Sequence, residues 1–188
     1  MISAAVSYTT EAHLSVPGID VEVLSFRQPE PFTGEFGSER HSLSMSLTPL
    51  VTCSRGAYVD ADGRPGEWHP VGDVSFCPGG TRLAVMAPGG VESYRGIYCS
   101  FDADVFERTT GLGDGWTPAQ LAAALDIQSP TIKRGLYRIV QEVSEPGYHR
   151  DKLVEITAQL VLAEFTRYLH DLETRPTSEL RPALAGWQ

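Results

Sequence analysis

Two hydrophobic periods divide this chain. Up to about residue 101 apolar positions alternate with polar ones, and beyond residue 116 they recur at three- and four-residue spacing. The cleanest alternation runs from His41 to Leu47, where Leu43, Met45 and Leu47 share one side and Ser42, Ser44 and Ser46 the other. Short strand-like runs also occupy Val21 to Phe26, Val51 to Val59, Thr81 to Met86 and Glu92 to Phe101. Turn signals separate them: Asp62-Gly63, Gly72-Asp73 and Pro88-Gly89-Gly90. Strands at such intervals predict a sandwich or small barrel. Residues 1–20 are expected to form a loosely ordered arm, and the Pro/Gly-rich stretch from Gln28 to Arg40 a connector.

The second half reads as helix. Thr117 before Pro118 and Ser129 before Pro130 each place an N-cap ahead of a proline at the first helical position. Pro146-Gly147 stops the second of these helices, and a last one is expected from about His149 to Glu173. Its apolar residues include Leu153, Ile156, Leu160 and Ala163, and also Val154, Val161, Phe165, Tyr168 and Leu169. A helix apolar on two sides packs against two things, so Leu153, Ile156, Leu160 and Ala163 are expected at a homodimer interface. The expectation is an α+β chain: an arm over 1–20, a β unit over 21–102, a helical unit over 116–173, and an aperiodic linker over 174–188.

Composition narrows the function. The 188 residues carry 15 basic and 24 acidic side chains, a formal charge of −9, and the basic ones are scattered. A chain without a concentrated basic patch does not grip DNA by itself. At 41% hydrophobic residues it buries a core, while no run is continuous enough to suggest a membrane span. The first residues lack the basic start and apolar run of a secretory signal. Cys53, Cys77 and Cys99 have no CxxC spacing and fit reduced core thiols in a cytoplasmic protein.

Catalytic constellations are sparse. There is no G-x-S-x-G elbow, and the glycines from Gly111 to Gly115 lack the Lys-Ser/Thr of a phosphate loop. Glu67 and His69 share strand parity and offer two ligands, too few for a tight metal site, so neither metal nor other cofactor is expected. A small-molecule site within the β unit has other candidates. Arg82 and Met86 share one parity, Tyr94 and Tyr98 another, and Met45 fits either lining or core. Arg82 is the informative one, because a guanidinium selects a carboxylate or other anion by a bidentate contact. If those faces line the site, Leu83, Val85, Ile97, Cys99 and Phe101 are core.

The segment GEWHPVGDVSFCPGG, from Gly66 to Gly80, resembles the middle of a cupin barrel. Followed by an all-helical half and the terminal phrase PALAGWQ, it resembles the N-terminal regulatory domain of AraC-type transcription regulators. In that phrase Leu184, Ala185, Trp187 and Gln188 match the usual entry to the family's DNA-binding module, and Gly186 stands where proline is common. The resemblance implies a cupin-like jelly-roll barrel that senses a small effector, helices that dimerise, and promoter contact only through a helix-turn-helix domain beyond Gln188. It implies no catalytic activity. The competing expectation from the same barrel, with Glu67 and His69, is a small metal-dependent cupin enzyme, an isomerase or oxygenase.

Overall fold

The computed structural model describes residues 7–48, 54–89, 91–113, 115–145 and 147–174. Two antiparallel sheets and four helices make up these residues, an α+β architecture. The first sheet has the order β1 (Ser7–Val16), β2 (Ile19–Gln28), β9 (Val91–Phe101), β4 (His41–Ser46), β7 (Val74–Cys77). The second has β3 (Phe32–Gly37), β8 (Arg82–Ala87), β5 (Arg55–Val59), β6 (His69–Pro70). After them come α1 (Ala103–Thr110), α2 (Pro118–Ala124), α3 (Pro130–Ser144) and α4 (Arg150–Thr174). Among the described residues the strands form these two separate sheets, which do not close into the expected jelly-roll barrel.

The two expected N-caps are present. Thr117 forms a full capping box with Gln120, and the Ser129 side chain accepts from the Ile132 amide. Other segments differ from expectation. The expected arm is strand β1 from Ser7 onward, joined to β2 by a turn in which Gly18 holds φ +71°. A side chain at Gly18 would also strike Val105 of α1. The expected connector before Arg40 contains β3, and α1 follows β9 directly. Gly72 does not take a positive φ; it is glycine because a Cβ there would lie 1.7 Å from Asp126 Oδ1. Asp73 reaches across to Lys133 of α3 at 2.9 Å. Cys53, part of the Val51–Val59 run and the terminal phrase lie outside the described residues.

Register explains where the core sits. Across the first sheet, Val21, Cys99, Leu43 and Phe76 form one row, and Val23, Ile97, Met45 and Val74 the next. All eight are buried. Apart from Val23, they form one cluster with Phe106 of α1, Ile132, Leu136 and Ile139 of α3, and Ala158, Leu162 and Phe165 of α4. The helices therefore cover this face of the five-stranded sheet. Phe76 sits at the centre of the contact, with ring centroids 4.5 Å from Phe165 and 5.3 Å from both Phe106 and Trp116. His41 stacks on Phe106 at 4.0 Å, and its Nδ1 accepts the Gly79 amide at 3.1 Å.

Candidate functional site

The opposite face of the same sheet has different chemistry. Because side chains alternate along each strand, the rows between the apolar ones point the other way. One reads Glu22, Tyr98, Ser44, Ser75; the neighbouring rows read Asp20, Ser100, Ser42, Cys77 and Leu24, Gly96, Ser46. Phe26 and Tyr94 form the start of a fourth. Hydroxyl groups dominate. Ser44 and Ser75 hydrogen-bond each other at 2.9 Å across the β4–β7 pair.

The second sheet turns one face toward this one. Tyr58 of β5 donates its hydroxyl to the Phe76 carbonyl of β7 at 2.8 Å, tying the sheets together at that edge. Register places Leu83 and Phe36 in the same row as Tyr58, and Val85, Gly56 and His69 in the next, so these look inward. Arg82, Ala84 and Met86 belong to the outward rows.

The aromatic groups on the inward faces cluster. Phe26 lies 5.8 Å from Tyr94 and 5.7 Å from Tyr98, the latter edge-on. Tyr94 and Tyr98 flank Gly96 so closely that a Cβ there would lie 3.3 and 3.2 Å from their rings. The two rings thus share one shelf that any larger residue at 96 would disturb. The facing sheet does not cover everything: Phe36, although inward, is 52% exposed, and Tyr8 on the edge strand 67%.

Burial raises the pKa of Tyr58, Tyr94 and Tyr98 above the usual phenol range. The Asp73 charge adds to the effect at Tyr94, where a hydrogen bond with Ser46 opposes it. These phenols are therefore protonated donors at neutral pH. Burial also raises the Cys77 thiol, and pushes Cys99 up to about 12. Neither is a reactive thiolate.

The structure separates the residues that sequence parity had grouped. Tyr94 and Tyr98 lie on the inward face. Met45, 2% exposed, points into the helix-covered core. Arg82 and Met86 point outward; the Arg82 guanidinium pairs with Glu35 at 3.3 Å, both half exposed. Leu83 and Val85, expected as core, take the inward place instead. His69 is partly buried on an inward row, while Glu67 is exposed outside the two-residue strand β6. Among the described residues no three His, Cys, Asp or Glu side chains are grouped to hold a metal. Sequence reasoning missed Ser44, Ser75, Tyr58 and Phe26 as site residues, although the serine alternation had marked the strand that carries Ser44.

On α4 the buried residues are Val154, Ala158, Val161, Leu162, Phe165 and Leu169. Leu153, Ile156, Leu160 and Ala163 all lie on the exposed side, Ile156 at 52% and Leu160 at 56%. No described helix is long and apolar enough to cross a membrane. Two surface hollows, of about 490 and 360 Å³, lie at the α3–α4 turn and beside the start of α3, away from the inward sheet faces.

No protein-family model matches the chain, nor does any curated protein sequence. Its similar solved structures are distant. Hydroxypropylphosphonic acid epoxidase from S. wedmorenis shares 17% identity over 52% of this chain and 51% of its own, with a TM-score of 0.36. A cupin-superfamily protein from Desulfitobacterium hafniense shares 12% over 50% and 77%, TM-score 0.36. A conserved protein of unknown function from Streptococcus pyogenes shares 14% over 54% and 79%, TM-score 0.35. The chain spans about half the length of the epoxidase. Cupin-superfamily proteins are thus among the similar structures, at a level of likeness that carries no argument about activity. The architecture stands on strand order and register.

Proposed function

We propose that this chain is the effector-sensing and dimerisation part of an AraC-type transcription regulator, with a cupin-like sheet pair as sensor. Promoter contact then belongs to a DNA-binding domain outside it. One observation carries the reading: the sheet that bears hydroxyls and tyrosines on one face bears the helices on the other. A molecule held on the inward face and the helices that report it share a single five-stranded layer.

The segment from Gly66 to Gly80 supplies a second link between them. Asp73 accepts the Lys133 ammonium of α3, its backbone carbonyl accepts the Ser46 amide, and its charge reaches Tyr94. The exposed line of Leu153, Ile156, Leu160 and Ala163 gives the helical half a surface suited to a second copy of the chain. Such coupling requires that the ligand distinguish two arrangements of the helices.

Sedimentation tests the assembly. The wild-type chain is expected to be a dimer at tens of micromolar, and the variant carrying Ile156→Asp and Leu160→Asp a monomer with an unchanged melting temperature. A wild-type chain that stays monomeric at high micromolar concentration overturns the dimerisation part. The enzyme reading has less support, because among the described residues Glu67 and His69 are not grouped with a third metal-ligating side chain.

A further inference from the structure

The five-stranded sheet ends at β7, yet the outer side of that strand is paired. Gly72 donates its amide to the Leu125 carbonyl, and Ile127 donates its amide to the Val74 carbonyl, both at 2.9 Å. Residues 125–127, between α2 and α3, thus lie along β7 where a further strand would lie, and cover an edge that would otherwise stand open. We propose that this segment is a strap through which the sheets hold α4 in position for self-association. This rests on the dimerisation role proposed above and assigns its control to one segment.

Three features support it. First, the strap touches every layer. Leu125 and Ile127 are fully buried. A Cβ at Gly56 of β5 would lie 3.6 Å from the Leu125 side chain, so Leu125 packs toward the second sheet, while Ile127 belongs to the helix-covered core. Second, Asp126 is wedged between β7 and α4. Its carboxylate leaves no room for a side chain at Gly72, and its carbonyl accepts the Tyr168 hydroxyl of α4 at 3.4 Å. Third, the links are directional. The two backbone bonds and the Lys133–Asp73 pair at 2.9 Å all join the helical half to the β7 edge between Leu125 and Lys133. Apolar contacts such as Phe165 on Phe76 are non-directional and hold the helices against the sheet without fixing where along it they lie. The strap supplies that register. Its opening is a local event that leaves both layers folded and lets α4 slide, which displaces Leu153, Ile156 and Leu160 from their places against a second copy.

The test is sedimentation and amide hydrogen exchange on the whole chain and its variants. Gly72→Ala drives Asp126 off β7 without straining the backbone, since φ at position 72 is not positive. The amides at positions 72 and 127 are then expected to exchange at least about tenfold faster than in wild type, with those of Ile97 and Cys99 in β9 unchanged, and self-association to weaken by about tenfold. Adding Asp126→Ala removes the obstructing carboxylate and leaves an approach of 3.1 Å between the two Cβ atoms. This double variant should return to within about threefold of wild-type association. If Gly72→Ala does not fold, Tyr168→Phe, which removes only a hydroxyl, decides: it is expected to weaken association by about threefold. A folded Gly72→Ala protein whose strap amides are loosened but which associates like wild type overturns the proposal and leaves the dimerisation role standing. So does a loss of association that the double variant fails to restore, or a Tyr168→Phe protein that associates like wild type. Strap amides that stay protected in Gly72→Ala also overturn it. A wild-type chain that stays monomeric defeats the dimerisation role itself, and the proposal falls with it.

Discussion

Gly135 gives the sharpest test of the helix packing. It lies in the interior of α3, where replacing glycine by alanine ordinarily stabilises a helix by about 1 kcal/mol. Here a Cβ would lie 2.3 Å from Val161 Cγ2 on α4. Val161 is buried and β-branched, so its χ1 has one strongly preferred well in a helix and it does not turn aside cheaply. Overpacking of this kind costs about 1–3 kcal/mol. The clash outweighs the propensity gain, and Gly135→Ala is expected to destabilise by about 1 kcal/mol, roughly 2–4 °C in Tm for a chain of this size. Val161→Ala alone removes two buried methyls and should cost about 2 kcal/mol. Together they should cost at least about 1 kcal/mol less than the sum, because the methyl added at position 135 enters the space that Val161 leaves. Urea unfolding of the four proteins measures this, provided m is unchanged. A Gly135→Ala protein more stable than wild type by about 1 kcal/mol would refute the close α3–α4 approach.

Tyr58→Phe should destabilise by about 1–2 kcal/mol, since it leaves the Phe76 carbonyl without its donor. Arg82→Ala should change stability by less than about 1 kcal/mol, as an exposed pair on the outward face; urea melts compare the two. Cys99 titrates near 9 when exposed and near 12 when folded, so its contribution is whole below pH 9 and erodes as pH rises toward 12. A Cys99→Ala protein should therefore lose less stability than wild type between about pH 9 and 11 in urea titrations. A parallel loss in both would count against the buried thiol.

Alternation along the chain announced most strands, because a strand half-buried on one face must alternate. What it could not supply was which face met which layer. Parity is a property of one strand, and nothing in Leu83-Ala84-Val85-Met86 says whether the next layer lies beside Leu83 or Ala84. The same limit put Met45 among site candidates when its row is covered by helices. Strand β1 escaped notice because it is an edge strand whose apolar face is short, Ala12, Leu14 and Val16, with only Leu14 fully buried. In α1, Val105 and Phe106 are the only buried apolar residues in eight, too few to display a helical period. Gly72 shows a different gap: its close neighbour Asp126 is distant in sequence, so the turn signal Gly72-Asp73 could not show the close approach that the glycine permits. The N-caps were legible because their partners lie within four residues.

The central claim is that a small molecule sits on the hydroxyl-bearing face of the five-stranded sheet. The seven tyrosines sample the molecule: Tyr58, Tyr94 and Tyr98 inward, Tyr8 at the edge, Tyr168 beside Asp126, and Tyr137 and Tyr148 exposed on the helical side. Ring NMR signals of tyrosine-labelled protein, followed through titration with small acids and sugars in turn, report directly on location. Shifts at Tyr94 and Tyr98, with Tyr137 and Tyr148 unmoved, are the predicted result. Shifts at Tyr137 or Tyr148 with Tyr94 and Tyr98 silent would contradict it.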